Sequence, residues 1–219
     1  MTEAEWLGAT EPESMLLYLR GKASNRKLRL FAVACCRRIA PLFTDERSRA
    51  VLKVAEKYAD GLVGDRQLSR AADQNYEFIR GEPVHTPARV AAATANSAAG
   101  PSAWAAAWNV VSEARRALLL AGAKKNGAEA RAQAELLRHV LGNPMRPAVL
   151  SPSWLVWNGG TVLKMAHTIY NEHTFDTMPS LGDALAKAGC TDTAILDHCR
   201  EPGDHLRGCW VLDLLLCKG

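Results

Sequence analysis

The chain has 219 residues, 48% of them apolar and 23% charged, and its 27 Lys and Arg against 23 Asp and Glu give a net charge of +4. That balance excludes disordered and fibrous classes, and the length allows one large domain or two small ones whose core needs no disulfide or metal staple. The charge is too mild to dictate a partner.

The first twenty residues carry four glutamates and no basic stretch ahead of an apolar run, so they do not read as a signal peptide. Helical periodicity then dominates. Ser24 stands as an N-cap for a helix that places Leu28, Phe31, Cys35, Ile39 and Leu42 on one face. Thr44-Asp45-Glu46 repeats the start signal, and Val51, Val54, Ala55, Tyr58 and Leu62 carry a second stripe until Gly61 to Gly64 breaks it. Asp65 opens a stretch through Ile79 that Gly81-Glu82-Pro83 closes. Thr86-Pro87 and Ser151-Pro152 each pair a capping hydroxyl with proline at the first helical position.

Between those caps, eleven of the twenty residues from Ala88 to Ala107 are alanine, which favours helix and close helix packing. Val90 to Ser112 is the longest uncharged run, but its Ala, Asn, Ser and Gly content and Gly100-Pro101 do not suit a bilayer span. Lys124-Lys125-Asn126-Gly127 reads as an exposed turn. It divides an N-terminal helical subdomain, 1–123, from a C-terminal one, 128–219, within what can equally be one continuous domain. Leu141-Gly142 suits a helix C-cap. With no strand alternation and no fixed repeat, the expected fold is all-α, about nine or ten helices with no significant sheet.

Several stretches together resemble a known family. They are Met1 to Leu7, Gly21 to Arg38, Leu141-Gly142-Asn143-Pro144-Met145-Arg146-Pro147, Trp154 to Thr161, and the closing run from Cys190 through His198-Cys199-Arg200 to His205-Leu206-Arg207-Gly208-Cys209-Trp210. This is similar to a helical family expanded in planctomycete bacteria for which no activity is assigned. The likeness covers both ends and matches poorly from about Gln67 to Ala134. It implies a bacterial lineage and carries over no catalytic residue.

The sharpest chemical feature is the C-terminal Cys/His group. His205 and Cys209 are four apart and would share a helix face as two metal ligands do, with Cys190, His198 and Cys199 upstream to complete a tetrahedral zinc site. Against this, no C-x2-C pair is present and His198 and Cys199 are adjacent, which turns them to different sides of a helix. The competing reading is that Cys190, Cys199 and Cys209 are small core residues, and it is preferred. All six cysteines are expected to be reduced thiols. Cys35 and Cys36 precede Arg37 and Arg38, which would lower a thiol pKa, but Cys35 falls on the buried stripe.

Arg20 to Arg38 holds seven basic residues and no acidic one, which leaves the rest of the chain at −3. Arg26, Arg29 and Arg37 would share a helix side opposite the apolar face and could bind nucleic acid or another polyanion. A solvated face, or pairing with the acidic first helix, is the plainer account. Trp154, Trp157 and Asn158-Gly159-Gly160-Thr161 read first as a helix–helix turn with core tryptophans, not as an anion pocket. No acid pair or nucleophile elbow asks for catalysis. The expected protein is therefore a cytoplasmic, non-catalytic interaction or scaffold module with an unidentified protein partner. A polyanion binder is the alternative, a zinc site or enzyme at the C-terminal group a second one, and no membrane is involved.

Overall fold

The computed structural model describes every residue except Lys125, Asn126, Pro202, Gly203 and Asp204. The expected boundary turn therefore lies partly outside the described residues. Among those described, the chain is helical throughout with no strand. Twelve α-helices run in the order α1 (Glu3–Gly8), α2 (Pro12–Leu19), α3 (Asn25–Arg38), α4 (Glu46–Ala59), α5 (Asp65–Gly81), α6 (Pro87–Ala98), α7 (Ala103–Leu120), α8 (Ala128–Leu141), α9 (Pro152–Glu172), α10 (Met178–Lys187), α11 (Thr193–Arg200) and α12 (Trp210–Leu215). Two are only six residues long, which accounts for the excess over the nine or ten expected. No described helix is long and apolar enough to cross a membrane.

Local signals set most of these ends. The side chains of Ser24, Asp45 and Thr86 each accept a first-turn backbone N–H, as capping hydroxyls and carboxylates do. Ser151 departs from that design: its hydroxyl lies 2.8 Å from that of Ser153 and makes no cap bond. Gly142 ends α8 at φ +67°, a left-handed position that glycine takes without penalty.

The chain forms two compact units, Met1–Arg138 and His139–Gly219, with the division within α8. In the first unit α3 is the central helix. Every residue from Leu28 to Cys36 is buried, so it is covered all round instead of along one stripe. The alanines of α6 and α7 make that possible. Ala91, Ala92, Ala95, Ala106, Ala107 and Ala114 are at most 2% exposed, and side chains this small let helix axes approach closely.

In the second unit α9 is broken. Trp157 is extended and Asn158, Gly159 and Gly160 are all left-handed, which turns the chain between two helical segments. The Thr161 hydroxyl donates to the Asn158 carbonyl at 2.8 Å and closes that turn. Trp154 is buried in the core and Trp157 packs partly against it. Beneath them the core gathers Val162, Ile169, Met178, Leu181, Leu185 and Ile195 from α9, α10 and α11, with Val211, Leu212 and Leu215 from α12.

Candidate metal centre

Three segments of the second unit bring four side chains to one point. α8 carries His139 in its last turn, α11 carries His198 near its C-terminus, and a non-helical stretch into α12 carries His205 and Cys209. One ligand atom from each of the four lies within 4.8 Å of every other. The ring centroids are 4.6 Å apart for His139 and His198, 4.9 Å for His139 and His205, and 5.1 Å for His198 and His205. His198 Nε2 is 3.1 Å from Cys209 Sγ.

Cys209 is fully buried, and the half-buried histidines turn ring nitrogens inward: the Nε2 of His139 and both nitrogens of His205 are buried. Neither nitrogen of His205 makes a hydrogen bond of good geometry. Burial holds the His205 imidazole below its ordinary pKa, while the backbone and carboxylate of Glu201 pull the other way. The favoured neutral ring is the form that ligates a cation.

A tetrahedral zinc with bonds of ~2.0–2.3 Å has ligand–ligand edges of about 3.3–3.8 Å. The donors here span that range: His198 Nε2 and Cys209 Sγ are 3.1 Å apart, and the 4.8 Å limit on the widest pair is about an ångström longer, a gap that small χ rotations of imidazole and thiol close. The donor set, three imidazole nitrogens and one sulfur with no carboxylate, suits a borderline-soft ion.

The chain matches no protein-family model, no curated protein and no solved structure.

Of the five sequence-predicted ligands, His198, His205 and Cys209 converge, and Cys190 and Cys199 stand outside the group. Cys199 is fully buried on the other side of α11, and a Cβ added at Gly182 would lie 2.9 Å from its own Cβ. Desolvation drives its thiol up to about 12, so it stays protonated as a packing group. Cys190 is 4% exposed and its pKa is likewise raised by burial. His205 and Cys209 do not share a helix, because the chain is helical only from Trp210 onward. They meet because a turn at Arg207 and Gly208 folds one toward the other. The fourth donor, His139, carries no sequence signal beyond lying just ahead of the helix-ending Gly142.

The basic segment is placed differently from expectation. Arg29 is 3% exposed, donates to the Ala98 carbonyl at 2.8 Å and lies 5.0 Å from the Tyr58 ring centre. It sits inside because α3 is buried all round, so it shares no open face with Arg26 and Arg37. Arg26 donates to Asp60 at 2.9 Å, Arg37 pairs with Glu56 at 2.8 Å, and Arg38 grips both oxygens of Glu129. The acidic residues of the N-terminal helices are used elsewhere: Glu11 and Glu13 both pair with Arg115 of α7.

Cys35 and Cys36 are both fully buried and desolvation raises both thiols, the condition of packing residues and not of nucleophiles.

Proposed function

We propose that this protein is a non-catalytic helical module whose His139–Gly219 unit carries a structural zinc site formed by His139, His198, His205 and Cys209. The observation that carries this reading is the convergence of four ligating atoms within 4.8 Å of one another. Four protein donors fill a tetrahedron and leave no position for water or substrate, the pattern of structural and not catalytic zinc. Three neutral imidazoles and one thiolate leave the centre at a net +1, a charge that a half-buried site tolerates better than the bare dication. The interaction or scaffold role expected from the sequence belongs to this proposal, with the ion fixing the shape of a unit whose helix surfaces face outward.

The test is metal content of the full chain purified without a histidine tag. One zinc per chain is expected. Cobalt should replace it and give visible d–d bands of a tetrahedral centre, with a sulfur charge-transfer band lost in Cys209→Ser. Substoichiometric zinc, together with no binding of zinc added to the stripped protein, would remove the proposal.

A further inference from the structure

The four donors are not equally anchored. His139 and His198 belong to α8 and α11, whereas His205 and Cys209 lie on the non-helical stretch that leads into α12. That helix has six residues, and Cys209 at its N-cap makes no side-chain cap bond. A helix this short has no autonomous stability and needs tertiary anchoring. Two anchors are visible. One is apolar, with Val211, Leu212 and Leu215 buried at 1% exposure or less. The other is the centre itself, because Cys209 immediately precedes Trp210, whose ring lies 5.2 Å from that of His198 and rests against Gly142.

Without an ion the second anchor keeps only the His198–Cys209 contact at 3.1 Å and the packing of Trp210. The buried His205 nitrogens then lack good partners, a cost that exposure to water relieves. With an ion, one His205 nitrogen and the Cys209 sulfur tie the stretch to two helices.

Resting on the metal-site reading above, we propose that ion binding acts as a clasp on residues 205–215. With the ion bound α12 is docked, and without it this stretch opens while α9, α10 and α11 stay folded. The site then works as a metal-responsive latch that uncovers the apolar side of α12 and the surface beneath it.

Hydrogen exchange of the full chain, zinc-loaded and chelator-stripped, with zinc measured on the same samples, tests this. Amides of 205–215 are expected to exchange at least about tenfold faster in the stripped protein, while those of α9 and α10 change little. His139→Ala should open the same stretch, although the substituted residue lies in another helix, and added zinc should not close it. If zinc binds stoichiometrically and exchange in 205–215 does not change, the clasp fails and the metal site stands. Exchange rising equally through the whole unit also overturns the clasp, since the ion would then hold the fold as a whole. A chain that binds no zinc overturns both.

Discussion

Gly142 and Trp210 pack closely: a Cβ added at Gly142 would lie 3.1 Å from both Cγ and Cδ2 of the indole, so the ring would have to give by a few tenths of an ångström. Gly142 also holds φ at +67°, where a Cβ meets the backbone. The contact joins the end of the helix that carries His139 to the residue that follows Cys209. Gly142→Ala is therefore expected to cost about 1–3 kcal/mol of stability, from backbone strain together with displacement of the indole. It should also weaken zinc binding by shifting Cys209. Urea unfolding followed by tryptophan emission measures the first effect and a competition titration with a zinc chelator the second. An unchanged zinc affinity would show that Trp210 does not hold the ligand in place.

Ligand and packing cysteines should separate cleanly. Cys209→Ser and His139→Ala are expected to reduce zinc affinity by at least about a hundredfold, beyond the ~10–100-fold that outer partners of a metal site supply. Cys190→Ala and Cys199→Ala should retain one zinc per chain and lose only stability. Loss of zinc in Cys199→Ala, in a protein still folded by circular dichroism, would return that thiol to the ligand set.

At Gly182 the demand is for space alone. An added Cβ would fall 2.9 Å from Cys199 Cβ, so α10 and α11 touch there backbone to side chain. Gly182→Ala is expected to destabilise by about 1–3 kcal/mol through overpacking, and Cys199→Ala in the same chain should not recover it, because the clashing atom is a Cβ that alanine keeps. Cys199→Gly should recover part of it. Thermal unfolding of the three variants checks the order.

Arg29→Ala should be the most costly of the arginine substitutions in α3. It leaves the Ala98 carbonyl without its donor and opens a cavity over Tyr58, for about 2–4 kcal/mol. Arg37→Ala removes a half-exposed arginine from the buried Glu56 carboxylate and should cost about 1–2 kcal/mol. Denaturant midpoints compare the two directly, and equal costs would contradict the inward placement of Arg29.

The helices were legible in the sequence because their causes are local. Ser24, Asp45 and Thr86 start helices by bonding amides three or fewer residues away, and Gly142 ends one by its own φ. Periodicity and alanine content need no partner to be read. The candidate site was legible only in part, for the same reason. His198, His205 and Cys209 lie close enough along the chain to be considered together, whereas His139 lies far upstream and only the closing of the second unit brings it to them.

A spacing of four between His205 and Cys209 suggests a shared helix face, but the helix starts only at Trp210. Arg29 shows the limit in the other direction. Its position on the helical wheel was sound, but whether that side of α3 faces water depends on α6 and α7 packing around it, and no local pattern encodes that. Sequence by itself determined what each segment becomes and where it stops, because those preferences act over a few residues. The tertiary structure alone decided which side chains meet, because burial and ligand geometry depend on contacts between segments far apart in the chain.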